Sequence, residues 1–457
     1  MEFEEQLFPE AAASWDVDKL YLNLVKAKQL NTRRETALTP VEKAILRGLL
    51  CGNPPKQIAA ALHWTSRSLS VELTKGLYRY VETLTERDTN TLKNWRDIAR
   101  WLEEAGYKAP KQVQNWGEAP DIAVFYGRKD EISQLQELII QNECRLVALL
   151  GMGGIGKTAL SVKLAKEIQG EFEYVIWRTI RHACPLKELL GSMLEFLTNT
   201  NQTQLPETTN SRISLLMQYL REHRCLIVWD GLEAILGVDQ VAGAYQSDHE
   251  DYSSLLKRIA QEPHQSCLIF TSQEKPVDFV SLEGRKVKAI ELGGLGSDAR
   301  EILHEKGLLD TQCWPALIYR YQGNPLALKL VSATIKEVFA GSVASFLDQG
   351  TELGVVVPMF FQQLLYQQFQ SLSSLEKQIM CVLAINRDPV PLAKLRGDIK
   401  PKVYLSSLTE ALAALRRRSL LEITSEANKN GFTLQPMVMK YVIREYQSEC
   451  QTLSQNK

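Results

Sequence analysis

Arg145–Ser161 reads RLVALLGMGGIGKTALS, an apolar run that passes directly into GxxxxGKT and then into a helix-like pattern. Glycines at Gly151, Gly153, Gly154 and Gly156 let backbone N–H groups turn inward around an anion, where a Cβ would obstruct the turn or the ligand. Lys157 adds a point charge at the β and γ positions of a bound polyphosphate, and the Thr158 hydroxyl is a ligand for Mg²⁺. A helix starting near Thr158 turns its positive end to the same anion. Preceding strand, Lys-Thr pair and following helix together make this a phosphate-binding loop rather than a chance glycine turn.

A phosphate loop requires further parallel strands, and three apolar runs supply them. Arg224–Glu233 (RCLIVWDGLE) delivers Asp230 to the C-terminal end of a buried strand, where a carboxylate holds Mg²⁺ through water. Ser266–Gln273 (SCLIFTSQ) ends in Thr271 and Ser272, which face the γ-phosphate, and Phe172–Trp177 (FEYVIW) is rich in aromatic and β-branched residues. The fold class expected is multidomain α/β plus α, with a parallel sheet at its centre.

Composition sets the surroundings. The 457 residues suffice for three or four domains, and 53 Lys+Arg against 54 Asp+Glu exclude a general polycation, so any nucleic-acid contact is local. The acidic start MEFEEQLFPE has no signal-peptide pattern, and no run approaches a membrane span; a cytosolic protein without membrane contact is expected. The eight cysteines include no CxxC, and Cys144, Cys225 and Cys267 sit at or near apolar strands as small core residues.

The order FYGRKDE (Phe125–Glu131), GMGGIGKT, FEYVIW, LIVWDGLE, LIFTSQEKP and GNPLAL (Gly323–Leu328) resembles the NB-ARC domain of STAND-type signalling ATPases, from about Val124 to Tyr446. The resemblance implies an ATP/ADP site with Mg²⁺. Tyr126 and Arg128 would lie on its adenine side, Pro325 would pack on the base, and Ile155 and Ala159 would add to the loop contacts. It also implies slow ATP hydrolysis, an ADP-bound resting state and self-association with ATP. Two departures stand out. Where the family reads Met-His-Asp in its lid, this chain has Leu434, Gln435 and Pro436; Gln435 keeps a hydrogen bond but no charge, and Pro436 has no N–H. Where many relatives read Thr-Thr-Arg, it has Thr271, Ser272 and Gln273. Gly231 replaces a second acidic residue, leaving Glu233 as the nearest carboxylate to orient an attacking water.

After the nucleotide-binding part, Glu291–Ala340 reads as short helices, and amphipathic stretches at Ser371–Leu383 and Ser407–Leu421 precede strand-like pieces at Leu421–Ile423 and Phe432–Leu434 around EANKNG, a winged-helix pattern. Arg416, Arg417 and Arg418 end the second stretch, where cations suit the helix dipole; by resemblance this module is a regulatory lid rather than a DNA reader. At the other end, Leu38–Leu84 contains three helical patterns separated by CGNPP and HWTS. It resembles the helix-turn-helix of LuxR-type regulators, with Thr39 and Glu42 as a capping box and Arg67, Ser68, Ser70, Glu72, Lys75 and Arg79 on the third pattern. Nine basic against five acidic residues between Thr32 and Arg87 make a modest footprint, so a protein-binding adaptor is favoured and DNA remains a partner class.

The expected organisation is a helical helix-turn-helix domain (1–108), a linker (109–121), a phosphate-loop domain (122–288), a helical domain (289–352), a winged-helix domain (353–446) and a tail (447–457). The function expected is a nucleotide-controlled signalling switch. The alternatives are an ATP-dependent transcription regulator and a constitutively cycling ATPase.

Overall fold

The computed structural model describes residues 7–32, 37–108, 113–180, 182–199, 204–237, 242–349, 357–386, 388–426 and 429–446. The expected tail (447–457) lies outside them. The chain divides into two units, 1–112 and 113–457.

The first unit is helical. Its helices are Val17–Thr32, Pro40–Leu50, Pro55–Ala61, Ser66–Glu72, Tyr78–Leu84 and Arg96–Glu104, with a π-turn at Leu73–Leu77 joining the fourth to the fifth. Thr39 and Glu42 form the reciprocal capping box expected from TPVE, and Glu42 also receives the Lys28 ammonium at 2.7 Å. Thr65 caps the next-but-one helix by accepting from Ser68 N at 3.1 Å. Ile98, Trp101 and Leu102 enter the core, as their helical spacing requires.

The second unit is built on six parallel strands: β1 (Val113–Asn115), β2 (Leu146–Leu150), β3 (Tyr174–Thr179), β4 (Cys225–Asp230), β5 (Cys267–Ser272) and β6 (Val287–Glu291), in the spatial order β1-β3-β4-β5-β2-β6. All residues of β2, β4 and β5 are buried, because helices cover both faces of a parallel sheet; this is why they read as unbroken apolar runs. Cys144, Cys225 and Cys267 are buried in this core. Two expectations are corrected. Val113–Asn115, within the stretch assigned to the linker, is an edge strand paired with β3, and β6 carries the sheet past residue 288 to Glu291. β1 is too short for a periodic signal, and its pairing comes wholly from β3.

Beyond the sheet, helices Ala299–Glu305, Trp314–Arg320, Pro325–Val338 and Val343–Gln349 lead to a C-terminal lobe. That lobe contains helices Met359–Gln370, Ser374–Asn386, Leu392–Asp398, Leu405–Arg417 and Pro436–Glu445, and an antiparallel hairpin of β7 (Glu422–Glu426) and β8 (Lys429–Thr433). The strands run further than the two short pieces read from the sequence, and Val390 bridges to Phe432 beside them. One hydrophobic core runs from Met152 in the phosphate loop through these helices to Val442. Among the described residues no single helix is long and apolar enough to cross a membrane.

Candidate functional site

The loop between β2 and helix Lys157–Ile168 lies at the C-terminal edge of the sheet, where strand ends and a helix N-terminus converge. Lys157 is buried, and its Nζ donates to the carbonyls of Gly151 (2.7 Å) and Met152 (3.2 Å). The Thr158 hydroxyl donates to Asp230 Oδ1 at 2.6 Å, and Thr271 Oγ1 donates to the same oxygen at 2.8 Å while accepting from Gly231 N at 2.9 Å. Three residues read separately from the sequence therefore meet on one carboxylate oxygen. Thr158 and Asp230 are hard oxygen donors side by side, a pair whose chemistry fits Mg²⁺.

Glu233 follows β4 and is engaged by Gln273, whose Nε2 and backbone N donate to it at 3.1 and 3.3 Å. Gln273 Oε1 in turn accepts from Gln368 Nε2 at 3.3 Å. A cleft of about 160 Å³ opens here, lined by Glu233, Gln273, Glu274, Leu364 and Gln368 among others. On the other side of the loop, Arg128 adopts φ +63° and its Nη2 donates to the carbonyls of Ile155 (3.1 Å) and Gly293 (2.6 Å), while its Nη1 pairs with Glu131 at 2.6 Å. Tyr126 hydrogen-bonds Glu305 under the Lys329 ammonium; burial, with help from Glu305, pushes its phenol up to about 12.

GNPLAL begins the helix Pro325–Val338 and rests directly on the loop. Asn324 accepts from Ala327 N with its Oδ1 as the helix cap and donates with its Nδ2 to Gly153 O at 3.1 Å, and Leu326 N donates to Gly154 O at 3.3 Å. A Cβ on Gly154, which has φ +77°, would stand 2.8 Å from Leu326 Cβ and 3.1 Å from Phe361 Cζ, so glycine is required here for conformation and for space. Pro325 lies 4.0 Å from the Cβ position of Gly156, beside the phosphate loop. Asn324 and Phe361 escaped the sequence reading: the first looks like ordinary turn punctuation, the second like one apolar residue among many.

Gln435 is turned elsewhere. Its Nε2 donates to Glu422 Oε1 at 3.1 Å, and Glu422 Oε2 accepts from Gln322 at 3.4 Å, so Glu422 ties the hairpin to the helical segment before GNPLAL. Pro436 begins the last helix, where a missing N–H costs nothing. Ile155 is buried within the loop, and Ala159 is half-buried in the first turn of the helix after it.

Residues 128–256 match the NB-ARC domain. The matched segment begins at Arg128 and contains the loop, Lys157, Thr158, Asp230 and Glu233. Over 363 residues the chain is 44% identical to an uncharacterized WD repeat-containing protein of Nostoc sp., covering 77% of this chain and 28% of that protein; it spans well under a third of that relative. A putative disease resistance RPP13-like protein of Arabidopsis thaliana is 28% identical over 94 residues, 20% of this chain and 11% of its own. Among solved structures, a Signal Transduction ATPase with Numerous Domains protein with a tetratricopeptide repeat sensor from Pyrococcus horikoshii is 19% identical, with a TM-score of 0.36 over 75% of this chain and 46% of that one.

Proposed function

We propose that this chain is a nucleotide-controlled switch that holds ATP or ADP with Mg²⁺ on Gly151–Thr158. The observation that carries the reading is the convergence of Thr158, Thr271 and Asp230 on one oxygen beside the Lys157 loop. Lys157, now bound to loop carbonyls, would turn to the phosphates; Thr158 and Asp230 would hold the metal, which supplies charge neutralisation when bound. The N–H groups of Gly153, Gly154, Ile155, Gly156 and Ala159 would cradle the phosphates, with Tyr126, Arg128 and Pro325 towards the base. Glu233 would orient water for slow hydrolysis once Gln273 releases it, since its carboxylate is now occupied.

The C-terminal lobe acts as a winged-helix lid, closed with ADP and opened by ATP into a self-associating form; this requires the two nucleotides to differ in affinity for the two states. Gln435 contributes to closure through Glu422 rather than through charge on the phosphate. The first unit serves as a helix-turn-helix adaptor for a protein partner. A second reading, duplex DNA, is favoured by one observation: of the described residues between Thr32 and Arg87, two acidic ones (Glu42 and Glu82) but one basic one (Arg47) are buried, while Arg67, Lys75 and Arg79 are exposed on the third helical segment, so the surface is slightly more basic than the count suggests. Binding to a duplex that weakens steeply with salt would support DNA, and its absence would leave the adaptor.

Chromatography of nucleotide released from freshly purified, denatured protein tests the main reading. Stoichiometric ADP from the wild type and none from Lys157→Ala is expected. An empty wild type that also fails to bind added ATP or ADP would overturn it.

A further inference from the structure

Three consecutive residues at the end of helix Leu405–Arg417 grip three consecutive residues after β5. Arg417 O accepts from Lys275 N at 2.9 Å, Arg418 Nε lies 3.5 Å from Glu274 Oε1, and Ser419 Oγ donates to Gln273 O at 3.0 Å. Arg417 Nε also donates to Ala242 O at 3.0 Å, next to Gly243, whose N–H donates to Glu274. Ser419 has φ +56°, an αL turn that stops the helix and aims its hydroxyl back at β5. Arg418 is buried, 3% exposed, against a half-buried Glu274, and its Nη1 donates to Glu376 Oε1 of the same lobe at 3.0 Å.

The gripped turn begins with Gln273. Its Oε1 stands 3.3 Å from the Cβ position of Gly153, over the phosphate loop, while its amide nitrogen holds Glu233. One residue thus faces the phosphate site with its side chain and the C-terminal lobe with its backbone carbonyl. The contact is also poorly satisfied. Arg418 Nε reaches Glu274 at ion-pair distance without hydrogen-bond geometry, and Nε and Nη2 have no hydrogen-bond partner among the described residues. Burial pushes the Glu274 carboxyl up, and the Arg418 charge only partly pulls it back. A buried guanidinium short of hydrogen bonds gains solvation when it parts from Glu274.

We propose that Arg417, Arg418 and Ser419 form an autoinhibitory latch that clamps the lobe shut on the Gln273–Lys275 turn, and that a phosphate group engaging the Gln273 side chain draws this turn out of the latch. The proposal rests on the nucleotide reading above for its trigger, but the latch itself is a contact of the protein alone. It links lid and pocket without the lid-motif charge that this chain lacks at Gln435.

The test uses the full chain and two variants, Glu274→Gln and Ser419→Ala, which leave the Arg418–Glu376 pair of the lobe intact. Hydrogen exchange is followed at the Lys275 amide, with helix Ser374–Asn386 as the folding control, and release of a fluorescent ADP analogue is timed in parallel. Exchange at Lys275 and analogue release about tenfold faster in Glu274→Gln, with smaller increases in Ser419→Ala and unchanged protection in the control helix, are expected for an opened latch. Wild-type protection of Lys275 and wild-type release in both variants would overturn the latch while leaving nucleotide binding in place. A wild type that binds no analogue, with variants that still loosen Lys275, would overturn the nucleotide trigger and keep the clamp.

Discussion

Two buried charge clusters lie on the same sheet edge and are built in different ways. Around Asp230, the hydroxyls of Thr158 and Thr271 and the N–H of Gly231 form a closed set of hydrogen bonds, all from residues at or next to strand ends and the loop. Around Arg418, two carboxylates from different parts of the unit, Glu274 and Glu376, share one guanidinium whose Nε and Nη2 lack hydrogen-bond partners among the described residues. Each member of the first cluster sits on a strand end, beside one, or at the start of the helix after the loop. In the second, the Glu274 contact exists only while the C-terminal lobe is docked, whereas Arg418 and Glu376 both belong to the lobe. A saturated network suits a site that must keep its geometry, and an unsaturated one suits a contact that must let go.

The sharpest way to break this comparison is Arg418→Ala, which takes the cation away from the buried Glu376 and the half-buried Glu274 and leaves them, among the described residues, only the N–H groups of Ser373 and Gly243. It is expected to lower unfolding stability by about 3–5 kcal/mol in denaturant titrations. A loss no larger than that of a surface substitution would mean that the cluster is already open in solution. Lys157→Ala acts on the other side: losing a charged hydrogen-bond donor should weaken nucleotide binding by about 1.5–3 kcal/mol, roughly 10- to 150-fold in Kd by calorimetry, with little change in melting temperature. Thr271→Val keeps shape but leaves Gly231 N without its acceptor, and a loss of about 1–3 kcal/mol of stability is expected from thermal melting. If Thr271→Val costs nothing, the Asp230 set is not the saturated network described. The smallest effect belongs to Ser419→Ala, about 0.5–1.5 kcal/mol, read as a drop in the denaturant midpoint without a change in slope.

Legibility in the sequence followed the range of the interaction responsible. The runs at Arg145–Leu150, Arg224–Asp230 and Ser266–Ser272 were readable as strands because full burial in a parallel sheet demands unbroken apolar residues. Thr39 and Glu42 were readable as a cap because both partners lie within one helical turn. Val113–Asn115 was not, since three residues carry no period and its pairing is supplied by β3. The candidate site divides along the same line. Lys157, Thr158 and the Asp230 strand end carry their own local signature. The seat of Asn324 on Gly153, the crowding of Gly154 by Phe361 and the engagement of Glu422 by Gln435 join residues far apart in the chain.

By itself, then, the sequence determined a parallel α/β core with a phosphate loop and its carboxylate, because glycine conformations, helix caps and buried strands are written within a few consecutive residues. Only the tertiary structure decided what lies over that loop and what holds the lobe against it. Arg416, Arg417 and Arg418 looked alike as cations at a helix end, and just one of them was chosen for burial between Glu274 and Glu376, because side chains from three distant segments meet only once the core has packed.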